Sequence, residues 1–122
     1  MTGRHYYSVF IEKTTASIFS VGVVCQSRRN YQRSVDHEDC IAFFARNGTV
    51  WQERVERGGG PPVPNGVELR VVLDWVKDMV KWYQDGTEIA STMISKHLKG
   101  KRLVPYIQLN FVGDQVTFNK RR

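Results

Sequence analysis

Apolar and polar positions alternate most clearly between Gly66 and Ala90, GVELRVVLDWVKDMVKWYQDGTEIA. Leu69, Val71 and Leu73 fall on one face and Arg70, Val72 and Asp74 on the other, the period of two of a strand with one buried face. Lys77-Asp78 interrupts the run. From Met79 to Tyr83 it resumes, with Val80 and Trp82 on one face and Lys81 and Tyr83 opposite. Asp85-Gly86 then supplies a tight primed turn, which needs the positive φ that glycine tolerates. The pattern predicts a three-strand meander. Its β-branched and aromatic content and the Asp-Gly break argue against a helix.

The remaining chain reads as further short strands. Tyr6–Glu12 alternates, and Ser17–Gln26 forms a second strand with Gly22 in its interior. A glycine there weakens the strand unless another backbone packs close or the strand bends. Ser27–Asp39 has no sustained period and reads as a long loop. Cys40–Ala45 and Thr49–Val55 flank Asn47-Gly48 as a second hairpin. Arg57–Gly66 (RGGGPPVPNG) reads as a loop, since its glycines and prolines are poor partners for a ladder or a helix. Ser95–Arg102 is a basic connection. Leu103–Phe118 closes as two strands around Val112-Gly113-Asp114, and 119–122 form a basic tail. About eight or nine strands with turns at this spacing imply an all-β sandwich or barrel. The core candidates are Phe10, Phe19, Val21, Val23, Phe43, Leu73, Val80, Trp82, Ile107, Leu109 and Phe118.

Length and composition add bounds. The 122 residues fit one domain spanning 1–122. With 41% hydrophobic and 25% charged residues, the chain falls in the ordinary soluble globular class. No apolar run approaches the roughly 20 residues of a spanning helix, so no membrane role is expected. Met1 to His5 lacks the apolar segment of a signal peptide. Cys25 and Cys40 do not make a disulfide framework, which points to a reducing, intracellular compartment, cytoplasmic or nuclear. A net charge of +6 suits an acidic partner, nucleic acid included.

Four motifs carry a family resemblance. LDWVKDMVKWYQDG (Leu73–Gly86) resembles the central hairpin of SPRY domains, with Trp82-Tyr83 as the aromatic pair before Asp85-Gly86. LVPYIQLNFVGDQVTFN (Leu103–Asn119) is similar to the family's closing pair of strands. HYYSVFIE and SVGVV resemble its opening strand and its Val-Gly-Val strand. The resemblance implies two antiparallel sheets in a concanavalin-like β-sandwich, with loops at one end forming a shallow surface for a protein segment. Two departures mark a distant member: Asn65–Val71 lacks the family's second glycine, and Phe19-Ser20 stands where a tryptophan usually precedes Gly-Val. No binding residue is carried over from the family.

Catalytic chemistry finds little support. Asp36-His37-Glu38-Asp39-Cys40 gathers donors, but a zinc site needs about four ligands with paired spacing, and neither His5 nor His97 lies in a second half. Three scattered histidines do not build a nucleophile–base pair. The GGGPP run lacks the Gly-Lys-Ser/Thr of a phosphate loop, and Asp74 has no partner acid. The chain is therefore expected to be no enzyme and to need no metal or cofactor. Binding remains, with the loops SRRNYQR, RGGGPPVPNG and SKHLKGKR as its surface. Arg28, Arg29, Tyr31 and Arg33 set guanidinium groups around an aromatic ring, the composition of an interaction hot spot. Lys96, Lys99, Lys101 and Arg102 add charge, and Trp75 either packs beneath the second sheet or stands exposed as an anchor. The expected function is a non-catalytic module that recruits an acidic peptide or protein, with RNA binding through the basic loops and Tyr31 as the alternative. Oligomeric state stays open.

Overall fold

The computed structural model describes residues 3–14, 19–25, 40–52, 55–96, 98–109 and 113–121. These hold ten strands: β1 (Arg4–Lys13), β2 (Phe19–Cys25), β3 (Cys40–Phe44), β4 (Thr49–Gln52), β5 (Val55–Gly59), β6 (Glu68–Asp74), β7 (Met79–Gln84), β8 (Thr87–Met93), β9 (Leu103–Leu109) and β10 (Gln115–Arg121). No helix occurs among the described residues. The strands form two antiparallel five-stranded sheets. Sheet A runs β10-β1-β6-β7-β8 and sheet B runs β5-β4-β3-β2-β9. The architecture is the expected β-sandwich.

The meander is as its alternation predicts. Leu69, Val71 and Leu73 of β6 and Val80 and Trp82 of β7 are buried between the sheets, while Arg70, Val72, Lys81 and Tyr83 line the other face. Leu73 pairs with Val80 and Val71 with Trp82, so apolar residues meet across the ladder. Asp85 and Gly86 both have positive φ, 48° and 87°, as a primed two-residue turn requires. The Asp85 carboxylate accepts a hydrogen bond from the Glu68 amide at 2.9 Å and ties the turn to β6. A β-branched residue at Gly86 would be forced into left-handed backbone, so Gly86→Val should cost about 1–3 kcal/mol in a denaturant titration. A neutral result would mean that the β7–β8 register differs.

Phe19, Val21, Val23 and Phe43 join this core from sheet B as expected. Tyr7 and Trp82 staple the sheets within the core. The Tyr7 hydroxyl donates to the Gly22 carbonyl at 2.5 Å and lies 3.3 Å from that of Tyr106. The Trp82 indole N–H donates to the Val21 carbonyl at 3.0 Å. Burial drives the Tyr7 phenol far above its ordinary pKa, so it stays a neutral donor.

Five expectations need correction. Phe10 is exposed, because β1 turns Tyr7, Val9 and Ile11 inward and an apolar residue between them must face out. Leu109, the last residue of edge strand β9, is also exposed, and Ile107 is only half-buried. Arg57–Gly59, read as loop, belong to β5: Gly58 and Gly59 pair with Val50 and Thr49. A ladder needs only backbone N–H and C=O, which glycine keeps; its conformational cost of about 0.5–1 kcal/mol is met by an already ordered partner. Finally, Asn119–Arg121, read as tail, continue β10 and pair with Ser8, Tyr7 and Tyr6. The Phe118 side chain lies outside the described residues.

Cys25 and Cys40 end and begin adjacent strands but face opposite sides of sheet B. Cys25 joins the central core, and Cys40 packs with Val24, Ala42 and Tyr106 in a second cluster. Neither is in a disulfide. Burial pushes the Cys40 thiol up to about 12.

Candidate functional site

Registers define the two ends of the sandwich. At one end lie Arg4, the 75–78 turn joining β6 to β7, Met93 and the 94–102 connection, together with Cys25, Cys40 and Gln52 of sheet B. Gln52 fixes the two sheets together here. Its amide N–H donates to the Met93 carbonyl at 2.7 Å, and its carbonyl accepts from the Ser95 amide at 2.7 Å. The chain leaves the described residues at Cys25 and re-enters at Cys40, both at this end. Arg28, Arg29, Tyr31 and Arg33 fall in that interval and lie outside the described residues, as does all of Asp36–Cys40 except Cys40 itself.

The third expected loop is not part of this surface. Beyond β5, residues 60–67 wrap the opposite end, where Val63 donates to the Ala45 carbonyl, Gly66 to that of Ile11, and Thr14 bonds Asn65. RGGGPPVPNG is thus separated from the SKHLKGKR connection by the length of the strands.

The remaining site residues are placed as follows. Of the two alternatives for Trp75, packing against the core is the nearer, since the side chain is half-buried and not exposed. It sits in the turn, half-buried, with its ring against the rim of the core and its amide donating to the Gly3 carbonyl at 2.9 Å. Its indole N–H is buried and has no hydrogen-bond partner among the described residues. Val76 beside it is 70% exposed. The Ile94 amide donates to the Asp78 carbonyl at 2.8 Å, and the Asp78 carboxylate lies 3.5 Å from the Lys99 ammonium. The turn and the basic connection are therefore one structural unit. Within the connection, Leu98 and Lys99 donate to the Ser95 carbonyl and Lys101 to that of Leu98. Leu98 is fully buried and anchors the run, leaving Lys96, Lys99 and Arg102 exposed and Lys101 half-buried. Segments 75–78 and 94–102 carry five basic residues (Lys77, Lys96, Lys99, Lys101, Arg102) against one acidic, Asp78.

Asp74, at the base of the turn, was singled out only as an unpartnered acid. Its carboxylate accepts from the Val76 and Lys77 amides and bonds the Arg4 guanidinium at 3.1 Å. Burial alone would raise its pKa; the Lys77 amide, the Arg4 charge and the Val76 amide outweigh that and hold it below its ordinary value. A depressed carboxyl stabilises the fold above the unfolded value of about 3.9 and ceases to do so as pH falls through the folded value. Asp74→Ala should thus destabilise near neutral pH, with the gap to wild type closing as the solution is acidified below about 3.9. A gap constant with pH would contradict this. Leu98 and Gln52 were also missed. A lone leucine in a basic run and a glutamine at a strand end give no periodic signal.

The family model for the SPRY domain matches residues 4–122. The chain belongs to the SPRY domain family. Members are generally protein–protein interaction modules. The chain is similar in structure to the SPRY domain of human HERC1, with a TM-score of 0.81 and 16% identity over 98% of this chain and 76% of that one. A second human SPRY domain gives a TM-score of 0.78 at 18% identity, covering 94% of this chain and 75% of that one. The TRIM65 PSpry domain gives 0.74 at 14% identity, covering all of this chain and 66% of its own. No curated protein sequence matches this one.

Proposed function

We propose that this chain is a non-catalytic recruitment module that receives an acidic segment of a partner protein on the end built from the 75–78 turn and the 94–102 connection. One observation carries the reading: the 75–78 and 94–102 segments carry five cations and one acid, and are joined by the Asp78 contacts and anchored by Leu98. A backbone already held in place loses less entropy on binding than a free loop. Val76, exposed beside Lys77 in the same turn, adds an apolar contact next to the charge, as an interface with a small hydrophobic core requires. Arg28, Arg29, Tyr31 and Arg33, in the interval that starts and ends here, would extend it. Two buried cysteines outside any disulfide suit a reducing interior of the cell.

The test is a pull-down from native lysate with and without nuclease, paired with a salt titration on a random single-stranded oligonucleotide. The triple variant Lys96/Lys99/Lys101→Ala should lose nuclease-resistant protein partners, chiefly through a slower on-rate. The oligonucleotide should bind no tighter than about 100 μM. A steep salt slope that the triple variant flattens by about 0.7 per lost contact would overturn protein recruitment in favour of phosphate binding.

A further inference from the structure

Residues 60–66 lie at the end of the sandwich opposite the basic connection, and the recruitment surface makes no use of them. Three of the chain's four prolines fall here, Pro61, Pro62 and Pro64. Proline fixes φ at about −65°, and a residue preceding proline is pushed to extended or polyproline II backbone. Gly60, Pro61 and Val63 each precede one, so these two rules cover every residue from 60 to 64. The backbone hydrogen bonds repeat at the polyproline II period of three. Gly60 donates to the Gly48 carbonyl, Val63 to that of Ala45 at 2.9 Å and Gly66 to that of Ile11 at 2.6 Å. One edge of a three-sided helix therefore faces the sandwich, and it carries Val63, 1% exposed. Pro61, Pro62 and Pro64 take the other two edges and are exposed. Both ends of the run are fixed. A β-carbon on Gly60 would sit 1.9 Å from the Ile89 carbonyl oxygen, so the chain lies directly on β8 there. The Asn65 carbonyl oxygen accepts from the Thr14 hydroxyl at 2.6 Å, and Gly66, with a φ of 81°, turns the chain away.

We infer that Pro61-Pro62-Val63-Pro64 is the ligand for a second protein partner, a domain whose aromatic-lined groove receives polyproline II segments, as SH3 and WW domains do. The chemistry of the ridge selects that kind of partner. Its prolines have no N–H, and the N–H groups of Gly60 and Val63 are spent on the sandwich, so no backbone donor between 60 and 64 faces outward to pair with an added strand. What the outer edges present is proline rings, Pro61 and Pro64 three residues apart on one edge and Pro62 on the other. Aromatic side chains pack against such rings, and a groove needs only two of the three edges. The third is held by the sandwich, so the segment is ordered before it binds and loses little entropy in doing so. The ridge and the basic connection lie at opposite ends of the strands, so both are filled at once and the domain bridges two partners.

The probe is an array of purified SH3 and WW domains, exposed to the labelled protein. At least one domain should capture it. Titrated into ¹⁵N-labelled protein, that domain should shift the amide signals of Gly60, Val63, Asn65 and Gly66. The double variant Pro61→Ala/Pro64→Ala should bind about tenfold more weakly or worse. Alanine in place of the groove aromatics of the captured domain should do the same with this protein unaltered, so a change in folding of the proline variant does not confuse the result. The triple variant Lys96/Lys99/Lys101→Ala should bind the domain as wild type does, which separates this site from the recruitment surface. Capture by no domain of the array would overturn the inference. So would equal binding by the double proline variant, or shifts confined to residues 75–78 and 94–102.

Discussion

Trp82→Ala should abolish the cooperative unfolding transition of this protein. Trp82 is fully buried, its ring tilted against Phe43 with centroids 5.9 Å apart, and its N–H is the donor that reaches Val21 in the opposite sheet. Removing a buried tryptophan side chain costs about 3–5 kcal/mol in lost transfer and cavity terms. The Val21 carbonyl then loses a buried donor, adding roughly 1–3 kcal/mol. Domains of this size are stable by only about 5–15 kcal/mol, so the loss takes a large share or all of it. Trp82→Phe separates the terms. It keeps most of the ring and deletes the hydrogen bond, and should cost about 1–3 kcal/mol with a sharp transition preserved. An alanine variant within about 1 kcal/mol of wild type, less than a single buried methyl-scale deletion can cost, would show that the two sheets are not held at this point.

The meander was legible because one-sided burial writes itself as a period of two, and Leu69, Val71, Leu73, Val80 and Trp82 obey it. The errors share a cause: period two gives the faces but not which neighbour covers them. In β1, Tyr6, Tyr7, Val9, Phe10 and Ile11 put apolar groups on both sides, so alternation alone could not choose between Phe10 and its neighbours. Pairing with Glu68 and Thr117 leaves Phe10 on the outside. The site suffered from a subtler effect. In an antiparallel sandwich each strand carries the chain to the other end, so the parity of strands between two loops decides whether they meet. Without β5, the glycine-proline run would leave β4 at the end where Cys25 and Cys40 lie. With β5 present, it starts at the far end. Five residues, three of them Arg57-Gly58-Gly59 with no apolar pattern, thus decide which loops share one end of the sandwich. Composition could mark Lys96, Lys99, Lys101 and Arg102 as a basic run. It could not show that Asp78 and Leu98 hold them beside the 75–78 turn, because those contacts join segments that are distant along the meander.

A second backbone packs close against Gly22, so Gly22→Ala should be strongly destabilising. Gly22 lies in β2, laddered to Ala42 of β3 on one side and Tyr106 of β9 on the other. A β-carbon there would sit 1.9 Å from the Ile41 carbonyl oxygen and 2.8 Å from the Ala42 α-carbon. Both are backbone atoms of a central strand, so no rotamer change can relieve the clash. In an ordinary strand interior, glycine to alanine gains about 0.5–1 kcal/mol from reduced chain entropy. Here the sign should reverse. Overpacking a core costs about 1–3 kcal/mol when side chains can shift, and the cost at Gly22 should reach or pass the top of that range because backbone must move instead. In a urea titration the midpoint of Gly22→Ala should fall with the slope unchanged. A neutral or stabilising result would mean that β2 and β3 part readily. The Gly22 carbonyl also accepts the Tyr7 hydroxyl, so displacing β2 should loosen that staple. Tyr7→Phe should then cost less in the Gly22→Ala background than in the wild type, a coupling that a double-mutant cycle reads directly. Additive losses would show that the strand contact and the sheet-to-sheet hydrogen bond act independently.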